Sequence, residues 1–190
     1  MSSPTLIEPI GLLGCSDWKP LNLSQFAIGP VQAPIPANIF AVFGTSMNAG
    51  KSTTAAGLVK GLTRLGHCVG AAKITGTGAG GDLWLMRDAG AQHALDFTDA
   101  GFPTTFGVDP DKIADGALDL IRALSQRGCT AIVIEVADGL YQQETEALAR
   151  MPRFRSVLSG TFFAAGDAMG AVAGAKRLAS LNHIVLGVSG

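Results

Sequence analysis

The stretch that most limits how this chain can fold is NIFAVFGTSMNAGKSTTAAGLVKGL, residues 38–62. It begins with an apolar run typical of a buried strand, passes through a turn of glycine and small residues, and continues as a helix. In such a unit the backbone N–H groups of the turn can point at one anion, and the start of the helix adds partial positive charge. The sequence therefore predicts a phosphate-binding loop at residues 44–52.

The rest of the chain repeats this alternation of apolar runs and helix-like segments. The later strand-like runs are CVGAAKI, HALDF, TAIVIEV, TFFAAG and HIVLGVSG. Strands that are apolar on both faces belong in a parallel sheet that helices cover on both sides. We therefore predict an α/β fold with a doubly wound, mostly parallel sheet. The chain has 190 residues, 47% of them apolar, which suits one domain. We place this domain at residues 38–190. Residues 1–37 are expected to form an extended arm with one short strand.

Composition and charge limit the classes of partner that we expect for this protein. A net charge of −1 with scattered basic residues predicts no nucleic-acid partner. The sequence begins without a signal peptide and has no apolar run of membrane length, so we expect no membrane association and a cytoplasmic location. The cysteines lack metal-ligand spacing and are expected to be buried thiols. The three histidines are expected on the surface or in turns, and Trp84 and Met86 in the core.

Within the predicted loop, several residue types suit a nucleotide. Lys51 is expected to reach the β- and γ-phosphates, Ser52 to bind Mg²⁺ and Thr53 to contact the α-phosphate. Five residues separate the two framing glycines, where the common pattern has four. The candidate nucleotide-binding residues of the loop are Gly44, Thr45, Ser46, Met47, Asn48, Ala49, Gly50, Lys51, Ser52 and Thr53.

Charged residues outside the loop are candidates for catalysis. Lys73 ends an apolar run, and we expect it to act with Lys51 on charge that develops at the γ-phosphate. The hydroxyl of Thr77 can contact the same anion. Glu135 follows TAIVI, at the carboxyl end of a central strand, where ligands of open α/β sheets bind.

A magnesium site is expected between strand ends and the loop. Its predicted ligands are Ser52, Asp82 and Glu135, because Mg²⁺ takes one or two carboxylates and keeps several waters. Asp138 is an alternative to Glu135. Asp82 precedes a helix, so it is alternatively only an N-cap.

The loop sequence GTSMNAGKST resembles that of dethiobiotin synthetase and its relatives, in which G-T stands five residues before G-K-[ST]. Four more motifs agree with that group: Lys73 in AAKITGTG, Asp82 in GGDLWLM, Glu135 in VIEVADG, and the two glycines of AAGDAMGA. The resemblance covers residues 38–190. It implies a P-loop NTPase fold, ATP or GTP with Mg²⁺ as cofactors, a small-molecule acceptor and a homodimer with shared sites.

A second resemblance competes for the same residues. GDLWLMRDAGA is similar to a segment of the adaptor protein of molybdopterin-guanine dinucleotide biosynthesis. Similar loops also occur, after a separate N-terminal domain, in larger P-loop proteins linked to N-acyl amino-acid metabolism. The sequence thus favours an Mg²⁺-dependent kinase or ATP-dependent ligase acting on a small molecule. The alternative is a non-catalytic adaptor or regulatory NTPase that acts on a protein.

A third possibility comes from GTGAGG, residues 76–81, which satisfies G-x-G-x-x-G and has Asp99 downstream. This pattern is typical of dinucleotide sites. The phosphate loop already occupies the first strand–helix turn, so a cradle for a second substrate or a mobile loop explains these glycines better.

The sequence also departs from dethiobiotin synthetase. Ser46, Met47 and Asn48 stand where that enzyme has more acidic residues, and the sequence ends where the enzyme continues with residues that grip the purine. We therefore do not expect dethiobiotin synthesis; either the chain is trimmed, or a neighbouring subunit holds the base. The arm is expected to pack on that subunit, or else on its own domain, through the apolar residues Leu12, Leu13, Trp18 and Phe26.

Overall fold

The structure is a computed structural model that describes residues 15–16 and 19–190. Two short strands, β1 (Cys15–Ser16) and β2 (Lys19–Pro20), pair antiparallel and precede a 3₁₀ helix at Leu23–Phe26. The remaining elements alternate along the chain: β3 (Asn38–Gly44), α1 (Lys51–Arg64), β4 (Val69–Lys73), α2 (Gly81–Asp88), β5 (His93–Asp96), α3 (Pro110–Gln126), β6 (Ala131–Glu135), α4 (Gln143–Arg150), α5 (Pro152–Arg155), β7 (Gly160–Ala164), α6 (Ala168–Ser180) and β8 (Val185–Ser189).

Within residues 19–190, six strands form one parallel sheet in the order β5-β4-β6-β3-β7-β8. The predicted α/β class and the six strands predicted within residues 38–190 are confirmed. The described part of the arm has two short strands where the sequence predicts one. The strand before the phosphate loop, β3, lies between β6 and β7. Glu135 pairs with Val42 on one side and with Lys73 on the other. The register therefore brings both predicted charged residues to the sheet edge where the loop begins.

Helices cover both faces of the sheet and bury two apolar clusters. On one face, α1 and α2 pack over a cluster that includes Val42, Val59, Val69, Met86 and Val133. On the other face, α3 to α6 enclose a larger cluster that includes Phe43, Ile121, Ile132, Phe154 and Phe163. Each fully buried side chain of this size contributes about 1.5–3 kcal/mol to folding, so the sheet is a rigid platform for the loops at its edge.

The described part of the arm folds back on its own domain. The N–H of Ile28 donates to the carbonyl of Asp99 at 2.7 Å, and the N–H of Val31 donates to the Asp119 carboxylate at 3.0 Å. Ile28 and Val31 also pack against the larger core. Phe26 is 68% exposed. The other three arm residues singled out above lie outside the described residues.

Two expectations about individual side chains are wrong. Trp84 is 63% exposed, whereas Met86, two residues later on α2, is buried as expected. His183 is buried, with Nε2 2.8 Å from the Ala149 carbonyl and its ring edge-on to Phe43. Burial lowers the pKa of His183, because it penalises the charged ring.

Two cysteine side chains are at least partly shielded from solvent. Cys129 is buried and Cys68 half-buried, and both are free thiols. Among the described residues, no helix combines the length and the apolarity that crossing a bilayer requires.

The contact between α6 and β7 leads to a prediction about stability. A Cβ added at Gly174 would lie 2.0 Å from the Phe163 ring, whereas one added at Gly57 on α1 would meet nothing within 4 Å. Gly174→Ala is expected to destabilise the protein by about 1–3 kcal/mol through overpacking. Gly57→Ala should stabilise it by about 0.5–1 kcal/mol, because alanine favours the helix. Urea denaturation measures both, and changes of the same sign would contradict the packing.

Candidate active site

The phosphate loop is a tight turn between β3 and α1. Gly50 caps α1 with φ 91°, and Asn48 has φ 62°, so both adopt the left-handed conformation. Gly44 leaves no room for a side chain, since a Cβ there would lie 2.7 Å from Cγ of Lys51 and 3.0 Å from the Ala164 carbonyl oxygen. The framing glycines thus allow the loop to fold over the end of β3 with the Lys51 stem against it.

Lys51 holds a buried positive charge inside the loop. The residue is 6% exposed, and its Nζ donates to the carbonyl of Ser46 at 2.7 Å. Burial lowers the pKa of Lys51, although the nearby charges of Glu135 and Asp138 oppose the shift. A lysine ammonium has three N–H donors, so two remain for an anion in the loop.

Ser52 and Glu135 form the second part of the site. The Ser52 hydroxyl donates to Oε1 of Glu135 at 3.1 Å. Glu135 is 2% exposed, and its Oε2 has no hydrogen-bond partner in the described part of the chain. Burial raises the pKa of Glu135, and the charge of Asp82 adds to the shift. A buried carboxylate oxygen without a partner, beside a serine hydroxyl, suits a divalent cation.

The donor set fits Mg²⁺ better than a metal that needs several side chains. Residues 19–190 contain no cluster of three or more histidine, cysteine or acidic side chains able to hold a metal. Mg²⁺ usually binds through one or two carboxylates, phosphate oxygens and water. Ser52 and Glu135, with Asp82 nearby, match that requirement.

Lys73 and Asp82 form an ion pair across the cleft from the loop. Nζ of Lys73 donates to Oδ2 of Asp82, and both side chains are largely shielded from solvent. Burial alone would raise the pKa of Asp82, but the hydrogen bond from Lys73 and the positive charge of that side chain outweigh burial and lower the pKa. The N-cap of α2 is Gly80, so the alternative interpretation of Asp82 as an N-cap is wrong.

These groups line one cleft of about 570 Å³ at the carboxyl edge of the sheet. The structure brings together most of the predicted site residues there: Met47, Asn48, Gly50, Lys51, Ser52, Thr53, Lys73, Thr77, Asp82 and Glu135. Gly44, Thr45, Ser46 and Ala49 belong to the loop but do not line the cleft. The hydroxyl of Thr77 lies 3.1 Å from that of Thr104.

Of the four glycines in residues 76–81, Gly76 lines this cleft. A Cβ at Gly78 would lie 3.2 Å from the Pro103 carbonyl oxygen, and one at Gly80 would lie 2.9 Å from the Trp84 ring. Close packing against neighbouring loop and helix residues accounts for these two glycines. These two glycines therefore need no dinucleotide to explain them.

A second cleft lies on the other side of the phosphate loop. It has a volume of about 380 Å³ between the carboxyl ends of β7 and β8, and its lining includes Asp167 and Ser189. The hydroxyls of Thr54 and Ser189 are 2.7 Å apart, which joins this cleft to the first turn of α1. Asp167 caps α6 by accepting from the Gly170 N–H at 2.8 Å.

No protein-family model and no curated protein matches the chain. Three solved structures are similar in fold. The cell division protein FtsY of Thermotoga maritima has 16% identity and a TM-score of 0.55, over 87% of this chain and 57% of that one. The kinase domain of the tyrosine kinase ETK of Escherichia coli has 10% identity and a TM-score of 0.54, over 83% and 68%. The signal recognition particle receptor FtsY of Elizabethkingia anophelis has 14% identity and a TM-score of 0.51, over 84% and 51%.

These similarities define the fold class. The three structures are P-loop NTPases, and the chain has the P-loop NTPase fold. It spans about half the length of the two FtsY structures that it resembles.

The environment of Glu135 predicts a pH effect on stability. The pKa of Glu135 is raised in the folded protein. Its protonated carboxyl therefore contributes fully to the stability of the fold below the ordinary carboxyl pKa, and this contribution is lost as pH rises through the raised pKa. Glu135→Gln cannot ionise, so its free energy of unfolding is expected to increase relative to the wild type across that window. Urea denaturation of both proteins at a series of acidic to neutral pH values measures the difference, and a constant difference would contradict the prediction.

Proposed function

We propose that the protein is an Mg²⁺-dependent nucleoside triphosphate-binding enzyme, a kinase or an ATP-dependent ligase that acts on a small molecule. One observation carries the proposal: the buried Lys51 of the phosphate loop and the buried Glu135, which accepts a hydrogen bond from Ser52, face the same cleft. Such a cleft combines anion binding, cation binding and space for a second substrate.

Each residue in this proposal has a defined task. The loop N–H groups and Lys51 bind the phosphates, and Mg²⁺ is held by Ser52 and Glu135, directly or through water. Lys73 moves from Asp82 to the γ-phosphate when nucleotide binds, and Asp82 is then free to support the cation. Electrostatic stabilisation of the transferring group is the main catalytic requirement of this chemistry.

The nucleotide base extends, in this proposal, toward the cleft between the ends of β7 and β8. This second cleft lies beside the first turn of α1, which supports the placement. A nucleotide bound in the phosphate loop is flanked by two clefts, and the main cleft is the one that the acceptor is proposed to occupy. ATP and GTP are both candidates.

A regulatory NTPase that acts on a protein is the second candidate. Four large apolar side chains near the main cleft are well exposed: Met47, Trp84, Phe106 and Tyr141. Exposed apolar residues around a polar site suit a protein surface as well as a small molecule.

We also propose that the protein forms a homodimer. The exposed apolar side chain of Phe26 in the arm supports this idea. Static light scattering of the full chain is the test, and a monomer would contradict it.

The test of function has two stages. Titration calorimetry with Mg·ATP and Mg·GTP is expected to show binding that requires Mg²⁺. ADP or GDP release is then measured with the dialysable and the non-dialysable fractions of a cell extract. Stimulation by the dialysable fraction supports an enzyme with a small substrate, and stimulation only by the other fraction supports a regulatory NTPase. Failure to bind either nucleotide would overturn both.

A further inference from the structure

Asp138 lies where two cavities meet. It lines the main cleft together with Lys51 and Glu135. It also lines a small cavity of about 30 Å³, whose other walls include Thr75, Thr105 and Glu144. Because that cavity has room for only about one or two waters, an acceptor that reaches Asp138 lies in the main cleft, beside the proposed γ-phosphate position.

The backbone on either side of Asp138 is firmly held. The N–H of Ala137 donates to the Thr75 hydroxyl at 2.7 Å, and the Thr145 hydroxyl donates to the Ala137 carbonyl at 2.9 Å. Both hydrogen bonds are buried. On the other side, a Cβ at Gly139 would lie 2.4 Å from the Thr45 carbonyl oxygen. The segment is therefore packed directly against the phosphate loop.

Asp138 itself adopts an uncommon conformation. Its φ is 64°, in the left-handed region, which few residues other than glycine occupy and which recurs at functional sites. Within the described residues, its carboxylate makes one long hydrogen bond, 3.4 Å from Nε2 of Gln142 at the surface. The backbone is thus fixed while the carboxylate remains accessible to a ligand.

We propose that Asp138 accepts the proton of the acceptor's nucleophile, and that this nucleophile is a hydroxyl or an amine. The inference rests on the proposed function. As the nucleophile's oxygen or nitrogen bonds to the γ-phosphorus, the bond from that phosphorus to the β–γ bridging oxygen breaks. The bridging electrons leave with the nucleoside diphosphate, and the nucleophile's proton moves to Asp138.

The polar groups around Asp138 narrow the class of acceptor. Glu144 accepts from the Gly107 N–H at 2.8 Å, so two carboxylates, those of Asp138 and Glu144, and several threonine hydroxyls lie at this side of the main cleft. Two like charges disfavour a carboxylate acceptor at this point, and a carboxylate nucleophile needs no base. A hydroxyl or an amine supplies the proton and the hydrogen-bond donors that these groups can accept.

Two variants separate the carboxylate's chemistry from its conformation. Asp138→Asn keeps the shape of the side chain, and Asp138→Gly adopts a positive φ freely. With water as the nucleophile, single-turnover hydrolysis of Mg·ATP is expected to fall by about a hundredfold or more in both, as for loss of a general base. The Kd for Mg·ATP should change by less than about tenfold. Asp88→Asn, an exposed change at the end of α2, serves as the control and should hydrolyse ATP normally.

Chemical rescue completes the test. Formate can enter the space left in Asp138→Gly and replace the missing base, so it is expected to restore hydrolysis in that variant and not in Asp138→Asn. Normal hydrolysis in Asp138→Gly would show a structural role and overturn the proposal. So would formate-stimulated ADP formation in the wild type, which indicates a carboxylate acceptor, or a wild type that binds Mg·ATP without hydrolysing it. A wild type that binds no nucleotide overturns the proposed function itself.

Discussion

Lys51→Ala is expected to weaken Mg·ATP binding by at least about a hundredfold. In the structure Lys51 is buried and hydrogen-bonded to the loop, so its charge is poorly screened and lies where the β- and γ-phosphates are proposed to bind. A charge-assisted hydrogen bond is worth about 1.5–3 kcal/mol, and a phosphate left without its partner adds to the loss. A change of about 3 kcal/mol in binding free energy corresponds to more than a hundredfold in Kd.

Titration calorimetry measures this effect, and two further variants define its cause. Lys51→Met keeps most of the hydrocarbon stem against Gly44 and should lose as much affinity as alanine does. Lys60→Ala removes an exposed lysine from the same helix and should bind Mg·ATP normally. Equal affinity of Lys51→Ala and the wild type would refute the assignment of the loop.

Lys73→Ala is expected to lower turnover by about a hundredfold or more, while nucleotide affinity changes by less than about tenfold. The reason is that Lys73, which is proposed to reach the γ-phosphate when nucleotide binds, stabilises the transferring group more strongly in the transition state than in the bound nucleotide. In the absence of nucleotide, Lys73 pairs with Asp82. Nucleotide binding therefore only exchanges the Asp82 carboxylate for the γ-phosphate as the partner of Lys73, which adds little to affinity. Steady-state kinetics at saturating Mg·ATP, combined with calorimetry, separates the two quantities.

The ion pair requires its own control. Removal of Lys73 leaves Asp82 as a shielded carboxylate beside the proposed cation site, and this alone could disturb the site. The double variant Lys73→Ala/Asp82→Ala removes both charges. If it recovers turnover, the loss in Lys73→Ala came from the freed carboxylate; if it stays inactive while Asp82→Ala alone remains active, the lysine acts on the phosphate. Normal turnover in the single variant would make Lys73 a structural residue.

Much of the fold was predictable because its signals are local. The apolar runs and helical segments of residues 38–190 correspond to the observed strands and helices, and the loop between β3 and α1 follows from its glycines. The position of Glu135 at the end of a central strand is confirmed by its pairing with Val42 and Lys73. Parallel strands end at the same edge, so knowing that these residues end strands was enough to bring them together.

The features that were missed depend on contacts between distant parts of the chain. The pairing of Lys73 with Asp82 depends on how closely α2 approaches β4. The burial of His183 depends on α4 and β3, which lie far away in sequence. The sequence indicates Asp138 only as an alternative metal ligand, because its positive φ and the buried hydrogen bonds of Ala137 have no counterpart in the sequence pattern.

The position of β3 in the middle of the sheet has a consequence for how the site comes into being. One neighbour of β3 is β6, and the other is β7, where Phe40 pairs with Gly160. Contacts so distant in sequence close large loops and form slowly. During synthesis the phosphate loop is therefore made before the strands that support it, and nucleotide can stabilise the site only after β6 and β7 have been added.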